Sequence, residues 1–509
     1  GANTYAAAPA RRVPRADTDD IRGANVGVNA VRDAARPAIY THATDPFFAP
    51  RVAEIQRLVK IGTDLTPAER TAVLDLVAEF ADIFALALSE VKPVGVYDPQ
   101  IPKDVEFNTK VHQRPLSQPA AEYLKARIEE MVAAGIVRPI RAQDVKCVSP
   151  IRLVEKEHEG GLTYDALLHA LNDQCVANGL PGVPNLPPRP AAQPNTPQAA
   201  PKWRICHNFE ELNRHLKVAP FPQGDIRDKQ RRLSGGMYVC KWDITSAFST
   251  LVVVDGAQPY LAFFVPGMGY YAYGRMPFGV SDAPTAFGEC TAGLVGDMVV
   301  DGTMELVVDD GGAKGDDFDD MMAKMRKIFT RIRAVGLSVS PSKTELMVSE
   351  TVFAGATVGR NGVSPDLAKL TCIVEWPLPE NAQELASFLG LCAWFRDLIR
   401  DYAKVEAPLR DLLLGVVPPG ATKREYRQAS RSYRLAPVWT EKHTECFLKL
   451  KQLLASEPVL RAPCYETVGK RPFHVTTDGC KDGFAGVLSQ EMESTLPDGR
   501  TVVRRHPIA

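Results

Sequence analysis

Two short apolar runs that each end in carboxylates constrain this chain more than any other feature. "YVCKWDIT" carries its aromatic and β-branched residues up to Asp243, and "MELVV" runs directly into Asp309-Asp310 and then two glycines. Such residues favour strands, and an acid pair followed by Gly-Gly turns the backbone tightly. The pair therefore lies at a strand tip, where an ordinary surface turn is one use for it. If the two runs are neighbouring central strands, three carboxylates meet at one end of a sheet. Like charges so placed are costly unless a divalent cation neutralises them, and hard carboxylate oxygens suit Mg²⁺. A cluster of this kind is the protein half of a two-metal phosphoryl-transfer site.

The other acid pairs have simpler readings. Asp316, Asp317, Asp319 and Asp320 open the amphipathic stretch "DDFDDMMAKMRKIFTRIRAVG", where carboxylates complement a helix N-terminus. Asp19-Asp20 lies in an N-terminal stretch without periodicity and is read as solvated. With 509 residues the chain is too long for one core, and a formal net charge of −1 leaves nucleic-acid affinity to local basic patches. No apolar run reaches the ~18 residues that span a bilayer, and the first thirty residues lack the apolar core of a secretory signal. The ten cysteines form no C-x-x-C pair, which argues against zinc or a disulfide framework and fits a reducing, intracellular compartment, cytoplasm or nucleus.

Residues 1–55 read as a disordered arm, and 56–110 as a helical lead-in. In "LTPAERTAVLDLVAEFADIFA" Thr66 is the expected N-cap, Pro67 the first helical residue and Glu69 the closing member of a capping box, with Val73, Leu74, Val77, Phe80 and Phe84 inward. A second helix, "SQPAAEYLKARIEEMVAAGIV", is expected to bury Leu124, Ile128, Met131 and Val132 and to stop at Gly135. After the strand "VSPIRLVEKEHEG" comes an insertion: a helix over 161–179 with Leu167, Leu168, Leu171 and Cys175 on one side, then eight prolines in 181–201, read as an exposed tether. From 202 onward strands and helices alternate without regular βαβ spacing, which predicts an α+β sheet with helices on one face.

Beyond single motifs, the stretch from about 111 to 365 resembles the reverse transcriptases of gypsy-type LTR retrotransposons and, more distantly, of retroviruses. The resemblance rests on five segments in family order: "KWRICHNFEELNR", "KWDITSAFSTLVV", "YGRMPFGVSDAPTAFGEC", "ELVVDDGG" and "GLSVSPSKTELMVSETVFAGATVG". It implies a right-hand polymerase: fingers over 111–236, interrupted by the insertion at 159–201, palm over 237–364, and thumb and connection over 365–436. An RNase H-like α/β domain would follow over 437–509. Here Val307 takes the place of the family's Tyr or Phe, which alters contacts to the primer end. The "GGAKG" after the acid pair has low strand propensity.

The resemblance also implies roles. Asp243, Asp309 and Asp310 would bind two Mg²⁺ ions, with Mn²⁺ as a substitute. Lys202 and Arg204 would meet the triphosphate, with Arg204 favoured because its planar fork matches phosphate oxygens. Phe248 would clash with a 2′-OH and so select deoxynucleotides; Pro277, Phe278 and Gly279 would floor the incoming base and template. Lys343 would protonate the leaving pyrophosphate. "PFHVTTDGCKDGFAGVLSQ" resembles the first hairpin of a retroelement RNase H, with Asp478 as its first metal ligand. The remaining carboxylates of that site are missing before Ala509, so RNA cleavage is not expected.

Nine basic residues against five acids between Arg396 and Arg434, and eight against four in 202–232, can neutralise phosphates without reading sequence. The expected activity is therefore RNA-directed DNA polymerisation. Its partners would be an RNA or DNA template with primer, deoxynucleoside triphosphates and other retroelement proteins, with no membrane. The rival is a decayed retroelement fragment that only binds nucleic acid. A nucleotide cyclase would place its glycines before the acids, and here they follow.

Overall fold

In the computed structural model the chain divides into two compact units, Gly1–Glu157 with Ala199–Thr351, and His158–Gln198 with Val352–Ala509. The described residues are 45–102, 104–110, 113–155, 162–184, 186–189, 203–396, 401–417, 420–455, 472–480, 483–495 and 501–507. Most of the N-terminal arm, Lys202 and the C-terminal half of the proline tether lie outside them.

The first unit is built on a five-stranded sheet in the order Lys60–Ile61, Glu345–Val348, Tyr238–Asp243, Asp310–Gly315, Glu305–Val307. All neighbours are antiparallel except Lys60–Ile61, which runs parallel to Glu345–Val348. The strand beside Asp243 is thus not the apolar "MELVV" run but the glycine-rich one after the acid pair, and Glu305–Val307 is the sheet edge. Low propensity is overridden here by packing. Gly311 faces Trp242 across the ladder, and a Cβ at Gly311 would fall 2.3 Å from the indole Nε1. Trp242 is 1% exposed and has nowhere to go. At the far end a Cβ on Gly315 would come within 2.6 Å of the Met321 Cβ. Glycine lets the strand slide under a tryptophan and against a helix, where a better strand former would clash.

That helix, Phe318–Val335, begins as its acids predict: the Asp317 carboxylate accepts the Asp320 backbone N–H at 2.8 Å, and Gly336 closes it with a left-handed φ of 78°. Its inward Phe329 meets Phe80 and Phe84 at ring centroids of 5.7 and 5.8 Å. Phe80 follows the helix Pro67–Glu79, where the expected Thr66/Glu69 capping box is present and Leu76, rather than the half-buried Leu74, completes the inner face with Val73 and Val77. The second helix, Gln118–Ala133, buries Leu124, Ile128 and Met131, but Val132 is 38% exposed. Smaller sheets flank the main one. Ile151–Glu155 pairs antiparallel with Trp203–His207, and Ala262–Val265 forms a hairpin with Gly269–Tyr273.

The second unit is mainly helical, with Leu367–Glu375, Ala382–Trp394, Tyr402–Asp411, Lys423–Ser432 and Glu441–Ala455, followed by an antiparallel sheet of Phe473–Cys480, Gly483–Thr495 and Thr501–Pro507. The insertion's helix, Tyr164–Ala177, belongs to this unit. Its Leu167, Leu171 and Cys175 join the core of Ile373, Phe388 and Phe447. Lys451, itself buried, donates to the Gln174 side chain at 2.9 Å and to the carbonyls of Val374 and Trp376 at 2.8 and 2.6 Å. The apolar stripe read from the sequence therefore has a covered face. No helix of the described residues is long and apolar enough to cross a membrane.

Gly311→Ala is expected to cost about 1–3 kcal/mol, the range for overpacking a full core. Urea unfolding of the variant measures it, and the loss should shrink when Trp242→Phe is added.

Candidate active site

The register of the two central strands sets Asp243 directly opposite Asp310, so both side chains leave the same face of the sheet. Val307 pairs with Asp310, leaving Val308 and Asp309 as the two-residue turn between them. Val308 has φ 57°, a left-handed conformation that a β-branched residue rarely adopts, at the very position that presents the acids. The Ile244 N–H donates to the Asp309 carbonyl at 2.9 Å, tying the turn to the end of the Asp243 strand. The Asp243 carbonyl in turn accepts from the Ser340 N–H at 2.9 Å, which brings in the loop that carries Lys343.

Electrostatics at this end are unbalanced. Burial pushes the Asp243 carboxyl above its ordinary range; the Lys343 ammonium opposes this, and the neighbouring Asp309 and Asp310 add to it. Burial likewise raises Asp309, against a backbone hydrogen bond and with the Asp310 charge adding to the rise. Lys343 Nζ lies 3.0 Å from each Asp243 oxygen, and Lys241 Nζ lies 3.6 Å from Asp310 Oδ1. Among the described residues no three acids converge closely enough to hold a metal ion. The backbone brings the three together, while the Asp243 and Asp310 side chains pair with Lys343 and Lys241, as mutually repelling carboxylates do when cations are within reach. Hard oxygen donors, partial burial and residual negative charge fit a divalent cation.

The 3-10 turn Ala247–Thr250 carries Phe248, whose buried ring lies 4.8 Å from Phe278 and 5.8 Å from Phe287. Phe278 is 59% exposed. Gly279 has φ 98° and lines a cleft with His207, Phe209 and Asn213, so the Pro277-Phe278-Gly279 loop lies against the end of the strand that carries Arg204. Arg204 is exposed and, among the described residues, has no ion-pair partner. Lys202 lies outside the described residues. Asp478 falls opposite Ala485 in the last sheet, and its side chain is outside those described.

Sequence reasoning missed the braces. Asn213 donates to the Gly279 carbonyl at 3.0 Å and accepts from the Ser281 N–H at 2.9 Å, clamping the loop from both sides. The Tyr97 hydroxyl donates to Asp282 at 2.5 Å, just ahead of the helix Ala283–Val300. The asparagine of "NFEELNR" was the available signal; nothing local marks Tyr97. Much of the charge in 202–232 is already engaged: Arg214 with Glu210, Arg231 with Asp228, Arg232 with Glu305, and Lys229 with the Leu306 carbonyl. That segment holds the edge strand and its own turns more than it offers free cations.

Residues 193–391 match the family described as reverse transcriptase (RNA-dependent DNA polymerase), and residues 439–497 match the RNase H-like domain found in reverse transcriptase. The chain thus carries a reverse transcriptase domain and an RNase H-like domain. More narrowly, its relatives are the Pol polyproteins of gypsy and other LTR retrotransposons. The chain is 28% identical over 295 residues to the retrovirus-related Pol polyprotein from transposon opus of Drosophila melanogaster, covering 58% of this chain and 28% of that protein. It is 26% identical over 304 residues to that from transposon gypsy of the same organism, covering 59% and 28%. It spans little more than a quarter of either relative. Among solved structures it is similar to the foamy viral protease-reverse transcriptase, with a TM-score of 0.63 and 15% identity for the form in complex with double-stranded DNA, covering 90% of this chain and 67% of that one. For the form in complex with an RNA/DNA hybrid the TM-score is 0.59 at 14% identity, over 91% and 52% of the chains. These likenesses show the shared fold.

The raised carboxyls have a consequence for stability. A carboxyl that is harder to ionise when folded costs nothing while protonated in both states. Its cost grows as pH climbs above the ordinary 3.8 toward the raised value and persists at neutral pH. Asp309→Asn is therefore expected to melt higher than the parent in EDTA at pH 7, by about 2 °C or more, and to match it near pH 3. Millimolar Mg²⁺ should raise the parent's melting temperature and leave the variant's nearly unchanged, read by calorimetry.

Proposed function

We propose that this chain is an RNA-directed DNA polymerase, transferring nucleotides from deoxynucleoside triphosphates to a primer 3′-OH. The observation that carries the reading is the register of Asp243 against Asp310, with Asp309 in the intervening turn, inside the segment that matches the reverse transcriptase family. Reverse transcriptases in general depend on divalent metals. Asp243, Asp309 and Asp310 would hold two Mg²⁺ ions, which lower the pKa of the primer hydroxyl and neutralise the triphosphate.

The protein's own groups do the rest. Arg204, with no ion-pair partner among the described residues, offers a guanidinium fork to the triphosphate, with Lys202 nearby in sequence. Phe248, backed by Phe287 and Phe278, is a fixed wall against which a 2′-OH would collide. Pro277, Phe278 and Gly279 form the floor for base and template, held by Asn213. Lys343 keeps an ammonium proton at the rim of the site, 3.0 Å from Asp243, and can give it to the departing pyrophosphate. Template-primer duplex and deoxynucleoside triphosphates are its partners on this reading.

A second reading, a nucleic-acid-binding protein without polymerase activity, draws on the same Lys343–Asp243 pair, which occupies both carboxylate oxygens. Primer extension separates the two. The purified chain is expected to extend oligo(dT) on poly(rA) with Mg²⁺, and Asp309→Asn to lower the rate by at least about a thousandfold, as loss of a metal ligand at a two-metal site implies. An unaffected variant would remove Asp309 from the metal site. An inactive parent that still binds duplex would favour the second reading.

A further inference from the structure

The proline-bearing insertion takes no part in the polymerase reading, and its sequence is not that of a plain spacer. After the helix Tyr164–Ala177 the chain reads "LPGVPNLPPR" over residues 180–189. Leu180-Pro181, Val183-Pro184 and Leu186-Pro187 each set a branched apolar residue before a proline, at a strict interval of three, and Arg189 takes the next station. The later prolines, Pro190, Pro194, Pro197 and Pro201, follow Arg, Gln, Thr and Ala at uneven intervals. A spacer needs only stiffness, which calls neither for that period nor for a cation at its end.

A polyproline II helix has three residues per turn, so the period sorts the side chains onto three edges. Leu180, Val183, Leu186 and Arg189 share one edge, Pro181, Pro184 and Pro187 the next, and Pro188 falls on the third. Two neighbouring edges thus carry apolar and proline surface and end in a guanidinium. Such a ligand fits a groove of aromatic side chains that closes on carboxylates, and its prolines lower the entropy lost on docking.

The insertion's own helix already handles the segment in this way. Arg189 Nη2 donates to both Asp173 oxygens at 3.0 Å, and His169 Nε2, one turn earlier on the helix, donates to the Pro187 carbonyl at 2.8 Å. Asn172 Oδ1 accepts the Val183 N–H at 3.1 Å, and Leu180 and Val183 pack on the helical core. The grip loosens toward the arginine. Leu186 and Pro187 are half-buried, Pro184 and Pro188 are exposed, and the Arg189 and Asp173 side chains are 64% and 52% exposed. An exposed ion pair of this kind shifts an equilibrium by about fivefold at most, so a pocket with more than one carboxylate can take the arginine over.

We propose that Val183, Pro184, Leu186, Pro187 and Arg189 are a docking motif for a polyproline-binding domain of the SH3 kind. Its aromatic groove takes the two apolar-proline pairs, and acidic residues at the end of the groove take Arg189. Asp173 holds the motif in reserve.

The test is equilibrium binding of the full 509-residue chain to a panel of purified SH3 domains that carry carboxylates beside the aromatic groove, read by fluorescence anisotropy without template or nucleotide. Saturable binding to at least one of them is expected. On that domain Arg189→Gln should weaken binding at least about tenfold, as loss of a charge-assisted hydrogen bond implies, and Pro184→Ala/Pro187→Ala at least as much. Pro188→Ala, on the outer edge, should stay within about twofold of the parent, and Asp173→Asn should tighten binding by up to about fivefold. Changing the domain's carboxylates to amides should make the parent and Arg189→Gln bind alike. Thermal melts should match throughout. Absence of binding by both the parent and Asp173→Asn overturns the proposal. So does an Arg189→Gln variant that binds as the parent does, or a loss in Pro188→Ala equal to that in Pro184→Ala/Pro187→Ala. Because no nucleotide is incorporated, a parent inactive in primer extension leaves this outcome intact.

Discussion

The contact between Trp242 and Gly311 governs where the acids end up. Side chains alternate between sheet faces, so a one-residue slip between the central strands would move every one of them to the other side. The indole needs a partner position without a Cβ, and Gly311 opposite it provides one. One step further along the ladder, the same register puts Asp310 across from Asp243. Packing on one face thereby sets a charge cluster on the other.

That cluster is a liability held in check. Two aspartates are pushed above their ordinary range mainly by burial, and two lysines, 241 and 343, lean over the group. The strained φ of Val308 lies in the same turn. Raised acids, leaning lysines and a left-handed valine within a few residues mark a region shaped for something other than its own stability.

Motif chemistry was legible from the sequence where local rules decide. The Thr66/Glu69 box, the Asp317 cap and the Gly336 stop all follow from side chains within a few residues of the helix end they fix. The strand beside Asp243 is not legible in the sequence, because "GGAKG" lacks strand formers and is held by Trp242 and Met321, contacts that span up to about seventy residues. The insertion's apolar stripe was visible, but its partners, such as Lys451, lie more than 270 residues away. Charge counting equated 202–232 with 396–434. Only the pairing of each cation shows that 202–232 braces an edge strand, and pairing is a property of the folded surface.

The helix Tyr164–Ala177 gives the second unit a discontinuous origin. Its acceptor Gln174 precedes its donor Lys451 by 277 residues, and Tyr164 reaches the Ala455 carbonyl across 291. At roughly 5–20 residues per second, a ribosome would leave this amphipathic helix without its last partners for about 15–55 seconds. During that interval Leu167, Leu171 and Cys175 lack part of the apolar core that covers them in the folded unit. A fragment beginning at 352 would meet the converse problem: a finished helical layer with a helix-shaped gap and the Lys451 ammonium facing it.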